Sequence, residues 1–122
     1  MASTPRGASG EFPIPPTPSA PGRAAIELCC LLWARAELAH DMAAYEDQVL
    51  ALLPDHHGEL LARAIGPGTD GTPNETQFIR LPDEVALDAY LGDPRRRGLA
   101  AERERVVERT VVFPVRFAGS AG

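Results

Sequence analysis

Between Leu38 and Leu52 the apolar residues Leu38, Met42, Tyr45, Val49 and Leu52 recur at steps of four and three, with Asp41, Glu46, Asp47 and Gln48 on the opposite face. That period predicts an amphipathic helix, stopped by Pro54. The segment before it, "AAIELCCLLWAR" (24–35), is almost wholly apolar and too short for a second helix, so it reads as a strand. Alternation puts Ile26, Leu28, Cys30 and Leu32 on one side of it and Cys29, Leu31 and Trp33 on the other, so both faces are apolar.

After the polar turn "PDHHG" come "ELLARAIG" (59–66) and "ETQFIRL" (75–81), two strands separated by the turn-rich "GPGTDGTPN" and expected to pair antiparallel. Pro82-Asp83 opens a short helix, "DEVALDAYL". Asp93-Pro94 opens another, with Asp as the cap and Pro at the first helical position, where its missing N–H does no harm. This helix is expected to run through "RRRGLAAERERVVE", and "TVVFPVRF" (110–117) reads as the last strand.

The order β-α-β-β-α-β predicts an α+β, ferredoxin-like domain: a four-stranded antiparallel sheet with its helices on one face. The first and last strands are apolar on both sides, the last through Val111, Phe113, Val115 and Phe117, so the uncovered face should be shielded from water. A homodimer with sheets facing each other is the expectation.

Composition limits the partners. The chain has 122 residues and a formal charge of −5, against a nucleic-acid binder, which needs a basic face. No run reaches the ~20 apolar residues of a membrane span and no secretion signal is visible, which predicts a cytoplasmic protein. Residues 1–23 hold six of the twelve prolines and read as a flexible arm. The folded domain is expected over 24–118, with a short tail over 119–122. Adjacent Cys29 and Cys30 point to opposite faces and cannot pair without strain, so they read as reduced core residues.

The segments "LLWARAELAHDMAAYEDQVLALLPDHHGELLARA" and "FIRLPDEVALDAYLGDPRRRGLAAERERVVERT" resemble the small uncharacterised-domain proteins of the dimeric α/β-barrel superfamily, relatives of the antibiotic biosynthesis monooxygenases. In that pattern the turn after the first helix ends in His followed by two glycines; His56 matches, and His57 stands where the first Gly is expected. The resemblance implies a dimeric α/β barrel with a cavity between sheet and helices in each subunit. It implies chemistry without a cofactor, as oxygenase, cyclase or isomerase, on a compact aromatic or polyketide-like metabolite. A non-catalytic dimerising or ligand-sensing module is the alternative.

Candidate residues follow from what could line such a cavity. Tyr45 and His56 are the candidates for proton transfer. Arg63 and Arg80 interrupt apolar strands and are candidates for holding developing negative charge, with Glu59 and Glu75 as alternative partners. Trp33 and Met42 are candidates for substrate contact. His56 and His57 diverge and His40 lies at the far end of the helix, so no metal site is expected, and no nucleotide motif is present. "DPRRRG" places three arginines at a helix start, a doubly positive spot that favours an anion or nearby carboxylates.

Overall fold

The computed structural model describes residues 25–118. The proline-rich arm (1–23) and the last residues (119–122) lie outside the described residues. Four strands, β1 (Ile26–Ala34), β2 (Glu59–Ile65), β3 (Glu75–Leu81) and β4 (Val107–Pro114), form one antiparallel sheet in the order β2-β3-β1-β4. The helices are α1 (Ala39–Leu50), α2 (Glu84–Leu91), α3 (Pro94–Arg97) and α4 (Ala100–Val106), with a 3₁₀ turn at Leu53–His56. This is the ferredoxin-like arrangement expected from the element order.

Local chemistry explains the boundaries. Asp83 caps α2 by accepting from the Ala86 N–H, and Asp93 caps α3 by accepting from the Arg95 N–H at 2.8 Å with Pro94 behind it. After the Leu53–His56 turn the chain reverses at His57, which takes a left-handed conformation with φ 61°. Gly58 follows in close quarters: a Cβ there would lie 3.0 Å from Leu53 Cδ2 and 3.2 Å from Leu81 Cδ2. Of the two glycines that the resemblance leads one to expect, the second is thus favoured by tight packing. The first is replaced by a residue bearing a conformational cost.

Two expectations are corrected. The helix over "RRRGLAAERERVVE" is broken in two around Gly98 and Leu99, and β4 begins at Val107, three residues before the expected start. Interleaved charges continue a helical pattern through Glu108 and Arg109. Pairing wins, because Val107 meets Ala34 at a register shift in β1 and the Arg35 N–H donates to the Val106 carbonyl at 3.0 Å. At its other end β4 stops at Pro114, which offers no N–H to the ladder, and Phe117 packs against Phe78 with ring centroids 5.3 Å apart.

One face of the sheet carries the core. Ile26, Leu28, Cys30 and Leu32 of β1 with Ile79 and Leu81 of β3 pack under Met42, Tyr45 and Val49 of α1 and Leu87 and Tyr90 of α2. On the opposite face, the paired positions Cys29, Phe78 and Phe113 lie side by side across three strands, with Leu31 opposite Val111. No helix among the described residues covers these side chains. Cys29 and Cys30 are both free thiols.

Candidate functional site

Between sheet and helices lies a cavity of about 240 Å³. Its floor comes from Leu28, Cys30 and Leu32 of β1 and Gln77 and Ile79 of β3, and its roof from α1 and α2. Leu91 and Val112, 45 % and 44 % exposed, belong to the wall and mark where it opens towards the edge strand β4. Most of the lining is aliphatic; the polar groups in it are few, and three of them come from segments far apart in sequence: Glu46 on α1, Gln77 on β3 and Arg96 on α3.

Glu46 is 5 % exposed. Alternation on β3 explains its partner: Glu75 and Gln77 share the inward phase of Ile79 and Leu81, so two polar side chains enter the core side of the sheet. The Gln77 amide donates to Glu46 Oε1 at 2.9 Å and to Glu75 Oε1 at 3.0 Å. Glu75 in turn receives Arg63 through Nε at 2.8 Å and Nη2 at 2.9 Å, a two-point pair with little exposure. The two buried carboxyls are therefore treated differently. Glu75 holds an arginine, whereas Glu46 has one amide donor among the described residues. Burial pushes the Glu46 carboxyl up, the Gln77 hydrogen bond opposes this, and the negative charge of Glu75 adds to it. A carboxyl biased towards its neutral form at the wall of an apolar cavity is suited to giving and taking a proton.

Arg96 faces the cavity from the other side. Its guanidinium carbon lies 5.1 Å from the centre of the Tyr90 ring, and its buried Nε–H has no hydrogen-bond acceptor. The Tyr90 hydroxyl donates to the Val49 carbonyl at 3.0 Å, and burial pushes its pKa up to about 12 in spite of Arg96. Cys30 is also pushed up to about 12, first by burial and then by the Glu46 charge, so its thiol is a poor nucleophile at neutral pH. Arg103, near the mouth, donates from Nη2 to the Thr110 hydroxyl at 3.0 Å.

The residues singled out from sequence are dispersed around this cavity and do not meet in it. Tyr45 and Met42 are in the core, 2 % and 0 % exposed, and neither lines the cavity; the tyrosine in the wall is Tyr90. Arg63 is engaged by Glu75, Asp47 and the Ala43 carbonyl. Arg80 and Trp33 lie on the opposite face of the sheet, where Arg80 pairs with Glu27 and Glu59. Trp33 donates to the Gly71 carbonyl beneath the Arg109 guanidinium. His56 contacts Asp93 through Nε2 at 2.8 Å and stands edge-on to Tyr90 with centroids 6.0 Å apart, behind the cavity wall. In the "RRR" run the three side chains part ways: Arg95 binds Asp93 and Asp55, Arg96 turns to the cavity and Arg97 is exposed.

Glu46 is the residue that periodicity misplaced, since the helical stripe assigns it to the polar face. The signal that could have found it lies on β3: Glu75 and Gln77 alternate in phase with Ile79 and Leu81, and polar residues on a buried face need partners from the helix above.

No family model matches the sequence, and no curated protein matches it either. Solved structures do match. RPA0582 from Rhodopseudomonas palustris, a protein of unknown function, superimposes with a TM-score of 0.64 at 18 % identity, over 78 % of this chain and 83 % of that one. A dimeric protein of unknown function and ferredoxin-like fold from Bacteroides fragilis gives 0.58 at 11 %, over 76 % and 96 %. The chain has the fold of these ferredoxin-like proteins. A third with this ferredoxin-like fold, a candidate antibiotic biosynthesis monooxygenase from Bacteroides thetaiotaomicron, gives 0.61 at 12 %, over 77 % and 90 %. At such identities what is shared is the fold.

Proposed function

We propose that the protein is a homodimer, joined through the uncovered face of its sheet, whose subunit cavity binds a compact organic molecule and catalyses a proton transfer on it without a cofactor. The observation that carries this is Glu46: a buried carboxyl with a single amide donor, in the wall of an otherwise mostly aliphatic cavity. Support for the dimer is the apolar surface of Leu31, Phe78, Val111 and Phe113, together with the dimeric description of the Bacteroides fragilis protein.

The chemistry follows from the two sides of the cavity. The Glu46 carboxylate takes a proton from a C–H next to a carbonyl, the electron pair moves onto the carbonyl oxygen, and a guanidinium N–H receives the resulting enolate. The protonated Glu46 then returns the proton to another carbon, completing an isomerisation, or, where the enolate carbon has attacked a second carbonyl to close a ring, to the alkoxide so formed; no oxidant is consumed. The same first step precedes oxygenation of an aromatic or polyketide-like substrate. At about 240 Å³ the cavity lies below the range of drug-sized pockets and suits a single-ring molecule.

Carbon-acid exchange tests this directly. A cyclic β-diketone incubated with the protein in D₂O should lose its enolisable proton, followed by ¹H NMR, faster than in buffer, and Glu46→Gln should slow the protein-dependent rate by about 10²-fold or more. Equal exchange with both proteins would overturn the proton-transfer reading.

A further inference from the structure

Resting on the cavity assignment above, we infer that its ligand is a compact organic monoanion, a small carboxylate whose oxygens are received by Arg96 with Arg103 at the mouth. The argument is one of charge. The chain carries 17 acidic residues against 12 basic ones, so carboxylates are in excess. Arg35, Arg63, Arg80, Arg95 and Arg105 each have one or more. Arg97, Arg103, Arg109 and Arg116 are exposed to solvent, whereas Arg96 is half-buried in the cavity wall and has no carboxylate in ion-pair reach among the described residues.

An exposed arginine is met by water, whereas one half-buried beside an apolar cavity needs a partner of its own. The Nε–H of Arg96 is closed off from the cavity, so the donors open to something that enters are the two terminal nitrogens of its guanidinium. Its guanidinium is held over the Tyr90 ring, which fixes the plane without neutralising the charge. The acid within the cavity makes no ion pair with it: Glu46 is held by Gln77, and the Arg96 charge only partly offsets the upward push of burial on its carboxyl. One half-buried guanidinium among leucines, isoleucine and valines, with the exposed Arg103 beside it, describes a receptor for a molecule with an apolar body and one anionic end.

Titration calorimetry with benzoate and its neutral isostere benzamide tests the class. Benzoate should bind wild type at least 10-fold more tightly than benzamide, and Arg96→Gln should remove that preference while leaving benzamide affinity within about 2-fold. Circular dichroism of Arg96→Gln confirms that the fold is retained, and Leu91→Trp, which fills the mouth, should abolish binding of both compounds. Equal affinity of wild type for the two compounds would overturn the anion class and leave the cavity reading intact. Benzoate binding that survives Arg96→Gln unchanged would overturn the role of Arg96. Failure of both compounds to bind wild type would overturn the inference and the cavity assignment together.

Discussion

Gln77 Nε2 donates to Glu46 Oε1 at 2.9 Å and to Glu75 Oε1 at 3.0 Å, so one amide spans two buried carboxyls of opposite fate. Glu75 is held by Arg63 at two points, and Glu46 is left at the cavity wall with the amide alone. That arrangement costs stability wherever Glu46 is ionised, as sites built for chemistry do.

Glu46→Gln should raise the melting temperature at neutral pH. Because burial raises the folded-state pKa of Glu46 above its ordinary value of 4.5, the folded state binds the proton more tightly than the unfolded chain. Glu46 thus favours folding below about pH 4.5 and loses this contribution as pH rises through the folded value. The gain from the substitution should be near zero at pH 4 and reach a plateau at higher pH; thermal melts across pH 4–8 decide it, and a lower melting temperature at pH 7.5 would contradict it.

Asp93 behaves in the opposite sense. Arg95 and then His56 hold its carboxyl well below the usual carboxylate range. Its contribution is present above the unfolded value of 3.8 and is lost as pH falls towards the folded one. Asp93→Ala, which also removes the α3 cap, should lower the melting temperature at pH 7, with the difference between variant and wild type narrowing below pH 4.

The turn offers a paired test. His57→Gly relieves a left-handed side-chain residue and should stabilise by roughly 0.5–1 kcal/mol in urea unfolding. Gly58→Ala inserts a methyl against Leu53 and Leu81 and should destabilise by about 1–3 kcal/mol.

Sheet-to-sheet pairing is tested by Val111→Asp, on the uncovered face opposite Leu31. Wild type should scatter light as twice its 13.1 kDa chain mass at micromolar concentration, and the variant as a single chain. A wild-type monomer would refute the dimer.

Alternation and periodicity read the element order, the approximate spans of β1, β2 and β3, the Asp93 cap and Glu59 and Glu75 as candidate partners of the strand arginines, because each depends on neighbours in the chain or on the next strand; they missed Glu27, which holds Arg80 at 2.9 and 2.8 Å. They also showed that β1 is apolar on both sides. Tertiary structure decided the start of β4, where pairing with Ala34 overrides a helical charge pattern, and the place of Glu46, which periodicity puts on the solvent face. It also decided the cavity, since α1, β3 and α3 contribute Glu46, Gln77 and Arg96 from positions 50 residues apart end to end, and no local pattern encodes their meeting. Side-chain direction repeats along a chain and can be read from it, whereas convergence is set by how helices lie across a sheet.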